Sequence, residues 1–227
     1  MTSEPTLEHL DTILECVHDH LSRSSLKTTR CLYTTSLVKD LAGRLGFEVN
    51  VWEGSARWHS RKYIQMVDEG YDFDSAQGLS PIAMEKRWVA LRRKGVRVLS
   101  CDANEGSDAD LGGHLCLTVR NHEQAYFVDP TSYQFVRDGE HPGARILAPN
   151  LMVCPIDWDQ FESLPTFFFR RPQMVGFYTF TAVKKYRTLL AKSASEKVDT
   201  DLNPRRHPGL YDDIVAALAD LGVHLEP

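Results

Sequence analysis

The sequence predicts an α+β fold, with helices first and a mostly antiparallel sheet after them. Three observations carry this. Apolar residues repeat at intervals of three and four between residues 5 and 45. They gather in short strand-like runs after Gly46. The stretch GGHLCLTVRNHEQAYFVDPTSYQF, residues 112 to 135, reads as two strands around a tight turn.

The elements follow in chain order. Leu7, Leu10, Ile13, Leu14 and Val17 lie at helical spacing and predict an amphipathic helix over residues 5 to 21, ending in SRSSLKTTR. Leu37, Val38, Leu41 and Leu45 predict a second helix from Cys31 to Leu45, with Gly46 as its stop. FEVNVW reads as a strand. Residues 53 to 80 mix charge, Gly, Ser and scattered aromatics and give no assignment. A helix from about Pro81 to Lys94 ends at Gly95 and leads into VRVLSC, a second strand. After the hairpin, ARILAPNLMVCPI has room for one more strand, and PTFFFRRPQMVGFYTF is rich in aromatics. AKSASEKVDTDLNPRRHPG reads as a polar linker and LYDDIVAALADLG as a terminal helix.

The chain has 227 residues, 42% of them hydrophobic and 25% charged, which is enough to bury a substantial core in one domain over residues 1 to 227. A net charge of -5 and dispersed Lys and Arg leave no basic footprint, so neither nucleic acid nor an anionic membrane is expected as a partner. MTSEPTLEHLDTILECVHDH is acidic and lacks the apolar run of a signal peptide. No window approaches the roughly 18 apolar residues of a spanning helix. The five cysteines are odd in number and include no CxxC pair, which speaks against a disulfide framework and a structural zinc site. A cytoplasmic location is the expectation that follows.

The hairpin carries an acid-base pair at its open end. In HLCLTVR the apolar Leu115, Leu117 and Val119 alternate with His114, Cys116 and Thr118, and AYFVD puts Ala125, Phe127 and Asp129 on one face. A turn at Asn121-His122, or a four-residue loop from Arg120 to Glu123, pairs residues whose numbers sum to 243. His114 then faces Asp129 and Cys116 faces Phe127. Directly opposed side chains have Cβ atoms about 4.5 to 5.5 Å apart, within reach of an imidazole-carboxylate hydrogen bond. Gly112-Gly113 allows close approach to His114, and Pro130 favours an extended Asp129. The plain alternative is a surface His-Asp pair on a sheet edge.

An oriented imidazole is a general base in search of a nucleophile. Cys31 is the candidate, because KTTRCLYTTSL turns helical there, Thr28 or Thr29 is placed to cap, and the helix dipole, Arg30 and Lys27 favour a thiolate. The alternative is a small buried cysteine. A nucleophile helix serving this hairpin is expected to meet its Cys116 and Phe127 side.

CLYTTSLVKDLAGRLGFEV, then GGHLCLTV, then YFVDPT together resemble the transglutaminase-like superfamily of papain-type folds, to which arylamine N-acetyltransferases also belong. The 15-residue step from His114 to Asp129 is similar to the acetyltransferase spacing. The resemblance spans residues 28 to 135. It implies a papain-like fold whose catalytic helix packs on a mostly antiparallel sheet, with 28–135 as catalytic core, while composition sets about 193–227 apart as a C-terminal linker and helix. It also implies a triad of Cys31 as nucleophile, His114 as base and acid, and Asp129 as orienter. Residues 52 to 111 form a longer, more polar insertion than acetyltransferases carry, and HLC stands where transglutaminases commonly have HAW. No counterpart of the papain-type oxyanion-hole side chain is evident.

Other clusters are weaker. Cys16 and His20 lie one helical turn apart but lack a second ligand pair, and Asp102, Glu105, Asp108 and Asp110 do not follow the EF-hand pattern. Neither metal nor cofactor is expected. Cys116 shares the face of His114 and borders the site, and Cys154 reads as core. Trp52, Trp58, Tyr63, Tyr71 and Phe73 are candidates for a lid or acceptor wall, or for simple packing. The expected function is thiol-dependent acyl transfer or amide hydrolysis through a thioester, on a peptide, protein or small acyl substrate. The alternative is a catalytically inactive binding or scaffolding protein of the same fold.

Overall fold

The computed structural model describes residues 5–24, 30–73, 75, 78–96, 98–101, 114–131, 152–171, 174–182 and 203–226. Among them lie helices α1 (Leu7–Arg23) and α2 (Arg30–Arg44), strand β1 (Glu48–Ser60), and helices α3 (Arg61–Asp68) and α4 (Pro81–Arg93). Strands β2 (Val98–Cys101), β3 (His114–Arg120), β4 (Ala125–Asp129) and β5 (Met152–Ile156) follow. Helix α5 (Trp158–Ser163), strands β6 (Thr166–Arg171) and β7 (Met174–Ala182), and helix α6 (Pro208–Asp220) complete the order. The architecture is α+β. None of the described helices is long and apolar enough to cross a membrane.

Local chemistry sets the ends. Gly46, at φ 100°, and Gly95, at φ 84°, adopt left-handed backbone just past α2 and α4, where a Cβ would be strained. Ser60 and Ser80 accept hydrogen bonds from the N–H groups of Tyr63 and Ala83, capping α3 and α4. Residues 53 to 80, unassigned from sequence, prove to hold the second half of β1 and all of α3.

The seven strands form one antiparallel sheet in the order β5-β4-β3-β1-β7-β6, with β2 also paired to β1. β1 is the hub. Its residues 48–54 pair with β3 and 52–60 with β7, while 56–59 pair with β2. β2 and β3 therefore lie end to end along one side of β1. The chain leaves that row at Cys101, opposite Ala56, and rejoins it at His114, opposite Gly54.

Each face of the sheet is covered differently. On one, Leu117, Val119, Tyr126 and Val128 pack against Leu10, Ile13 and Leu14 of α1, Leu37, Val38 and Leu41 of α2, and Tyr211, Ile214 and Leu218 of α6. The terminal helix is thus part of the main core. On the other, Trp52, Ala56, Trp58, Cys116, Phe127, Tyr178 and Phe180 form an aromatic layer closed by Phe161 of α5. A satellite cluster of Met66, Leu91 and Val96, with Tyr63, Tyr71, Phe73 and Trp88 packed against it, holds α3 and α4 together.

Candidate functional site

The site grows from the hairpin. Its register differs from the expected one: Thr118 pairs with Phe127 and Arg120 with Ala125, so partners sum to 245. The loop is Asn121 to Gln124, because the Asn121 side-chain oxygen accepts from the N–H groups of Glu123 and Gln124 and the Asn121 N–H donates to the Gln124 carbonyl. Extending the ladder sets Cys116, rather than His114, across from Asp129. A two-residue shift keeps every side chain on its face. His114 and Asp129 therefore meet as diagonal neighbours, with His114 Nε2 2.8 Å from Asp129 Oδ2.

Both residues are at 0% exposure, so this is no surface pair on a sheet edge. The Asp129 carboxylate is fully engaged. Oδ2 also accepts from the Tyr178 hydroxyl at 2.8 Å, while Oδ1 accepts from the Thr131 N–H at 3.0 Å and the Thr131 hydroxyl at 3.4 Å. Tyr178 reaches the site from β7, where it pairs with Ala56 of β1. Burial pulls the His114 pKa down, but the Asp129 charge, the Cys116 thiol and hydrogen bonds to both outweigh it and hold it well above the usual histidine range. Burial, the charges of Asp129 and Cys116 and the Asp129 hydrogen bond hold the Tyr178 hydroxyl well above its usual range, against an opposing pull from Trp58. Tyr178 is therefore a fixed donor.

Cys116 completes the group: ligand-type atoms of His114, Cys116 and Asp129 all lie within 4.8 Å of one another. With Nε2 on the carboxylate and a further hydrogen bond to Cys116, the ring is held between an acid and a thiol. The arrangement orients an imidazole, fixes its tautomer and brings it to a thiol.

The other expected residues distribute as follows. Cys31 lies in the first turn of α2, and its side chain is outside the described residues, as are Lys27, Thr28, Thr29, Gly112, Gly113 and the acidic residues of 102–110. The helix does not meet the Cys116 and Phe127 side of the hairpin. Tyr33, Leu37 and Leu41 of α2 pack with Leu117, Val119, Tyr126 and Val128, on the opposite face. The reason lies in the alternation: the aliphatic face of β3 suits the aliphatic stripes of α1 and α2, and the aromatic face suits β7 and α5. Trp52 and Trp58 belong to the aromatic layer, and Tyr63, Tyr71 and Phe73 to the satellite cluster. His20 Nδ1 lies 2.8 Å from the Cys16 carbonyl oxygen, and among the described residues the Cys16–His20 pair has no third ligand beside it.

Tyr178 and Thr131 were not singled out from the sequence. Thr131 had a local signal, since a hydroxyl residue two past an Asp readily donates back to it. Tyr178 had none, because its partner is 49 residues away.

The fold and site define a class by geometry: an α+β domain with a dry thiol-imidazole-carboxylate cluster at the open end of a central hairpin. No family model, curated protein or solved structure matches the chain.

Proposed function

We propose that this protein is a thiol-dependent acyl-transfer or amide-hydrolysing enzyme of transglutaminase-like, papain-type fold, with Cys31 as nucleophile, His114 as base and acid, and Asp129 as orienter. The Cys31 thiol gives its proton to the His114 imidazole, and the sulfur attacks an acyl carbonyl. His114 then returns the proton to the departing amine or alkoxide as the thioester forms. Water or an amine resolves the thioester. The substrate is a peptide, protein or small acyl donor.

The observation that carries this is the buried His114–Asp129 contact at 2.8 Å, in which a carboxylate orients and charges an imidazole as it does for a general base. The course of the backbone adds support. α2 is 15 residues long, or about 22 Å. A short turn returns the chain along β1 at about 3.3 Å per residue, so the helix start is roughly level with Gly54, the partner of His114.

A non-catalytic binding protein is the second reading, favoured by the complete burial of the dyad and by α2 lying on the far face of the sheet. Mild iodoacetamide labelling read by mass spectrometry separates the two. Selective modification of Cys31 at neutral pH, with loss of p-nitrophenyl acetate turnover in Cys31→Ala, is expected of the enzyme. Uniform slow labelling, or full turnover in Cys31→Ala, would remove the triad.

A further inference from the structure

His114, Cys116 and Asp129 bring together an imidazole nitrogen, a thiol sulfur and a carboxylate oxygen within 4.8 Å of one another, each on a fully buried residue. These are the three donor types that zinc takes up in proteins. We propose that this cluster is a binding site for a single zinc-class divalent ion, held by all three side chains with a fourth position open.

The geometry needs little adjustment. With bonds of about 2.0 to 2.1 Å to nitrogen and oxygen and about 2.3 Å to sulfur, the edges of a tetrahedral site are about 3.3 to 3.6 Å long. The 2.8 Å contact between His114 Nε2 and Asp129 Oδ2 has to open by about half an ångström, and the other separations are at most 4.8 Å. The surroundings favour a fixed site. Asp129 keeps the Thr131 N–H on its other oxygen and the Tyr178 hydroxyl beside the ligating one, the supporting shell that orients metal ligands. His114 and Cys116 are two apart on one strand, so both project to the same side by the period of β3.

Binding exchanges protons for the ion. The thiol of Cys116 releases a proton to solvent, His114 binds as the neutral imidazole with its one proton on the other ring nitrogen, and no electron is transferred. A bound ion also occupies the imidazole that the acyl-transfer reading requires, so the two states of the site exclude each other. The binding itself does not depend on that reading.

The test uses the full chain and the metal alone. Zinc is titrated against a chromogenic chelator, and cobalt(II) is added to the metal-free protein to look for a thiolate-to-cobalt charge-transfer band. One ion per chain and a thiolate band are expected in both the wild type and Cys31→Ala. Tyr178→Phe should weaken zinc by about 10- to 100-fold through loss of ligand support, and Cys116→Ala should lose the band and weaken zinc at least as much. Failure of the wild type to bind zinc at micromolar concentration, a missing thiolate band, or unchanged affinity in Cys116→Ala would overturn the proposal. If Cys116→Ala fails to fold by circular dichroism, unchanged affinity in Tyr178→Phe does so. None of these readouts uses turnover, so failure of the enzyme reading leaves the metal test intact.

Discussion

Asp129 is the residue on which most of the site hangs, because its two oxygens accept from four donors on three residues, His114, Tyr178 and Thr131. Asp129→Ala strands an imidazole, a phenol and an amide in a dry interior. The expected loss is about 3 to 5 kcal/mol, the range for breaking a buried pair from one side. Asp129→Asn keeps an acceptor and should cost less; urea midpoints on both variants check the order. The partnership of His114 with Asp129 was legible in the sequence because strands alternate and a hairpin brings its ends together. The register was not, since Asn121 can sit inside the turn or at its first position, and only its side-chain bonds decide. Burial of the pair was equally unreadable, because the covering aromatics come from β7 and α5.

At the scale of elements, β1 carries a constraint at Gly54. A Cβ added there would lie 1.9 Å from the Thr179 carbonyl oxygen and 2.8 Å from the Phe180 ring, so β7 would have to move. Gly54→Ala is expected to destabilise by at least the 1 to 3 kcal/mol typical of overpacking, about as much as a sizeable core cavity. It should also disturb the row that holds His114, seen as a changed reactivity of Cys116 toward a thiol reagent after partial unfolding. Where β1 meets α3, the His59 ring packs against Tyr63 with centroids 4.3 Å apart and planes tilted by 32°. Burial, and then the charge of Arg57, lower the His59 pKa. Between that lowered value and the unfolded one near 6.5, the unfolded chain binds more protons, so stability rises with pH and is lost on acidification through about pH 6.5. Melting temperatures at pH 7.5 and 5.5 should differ less in His59→Gln than in the wild type. Of the helices in this region, α4 was legible from its run between Pro81 and the stop at Gly95, whereas α3 was not. The long strand was not legible, because Glu53, Ser55, Arg57 and His59 form a half-buried to exposed polar side, and the buried positions between them are the small Gly54 and Ala56 as well as Trp58.

For the whole molecule, the sheet is organised around pairings distant in sequence. β1 contacts β7 along nine residue pairs, from Trp52–Ala182 to Ser60–Met174, and α6 closes the core that α1 and α2 begin. The α+β class was readable from the order of patterns, whereas the sheet order was not, since no local signal states which of six later segments will lie beside β1. The same arrangement governs how the protein is made. Some 114 residues separate Ser60 from Met174, the ends of β1 and β7 that pair. At a synthesis rate of about 5 to 20 residues per second, β1 waits on the order of ten seconds on the ribosome with one hydrogen-bonding edge unmatched. During that interval the nascent chain offers Trp52, Trp58 and an open backbone edge to whatever is nearby, the kind of surface through which unfinished chains associate.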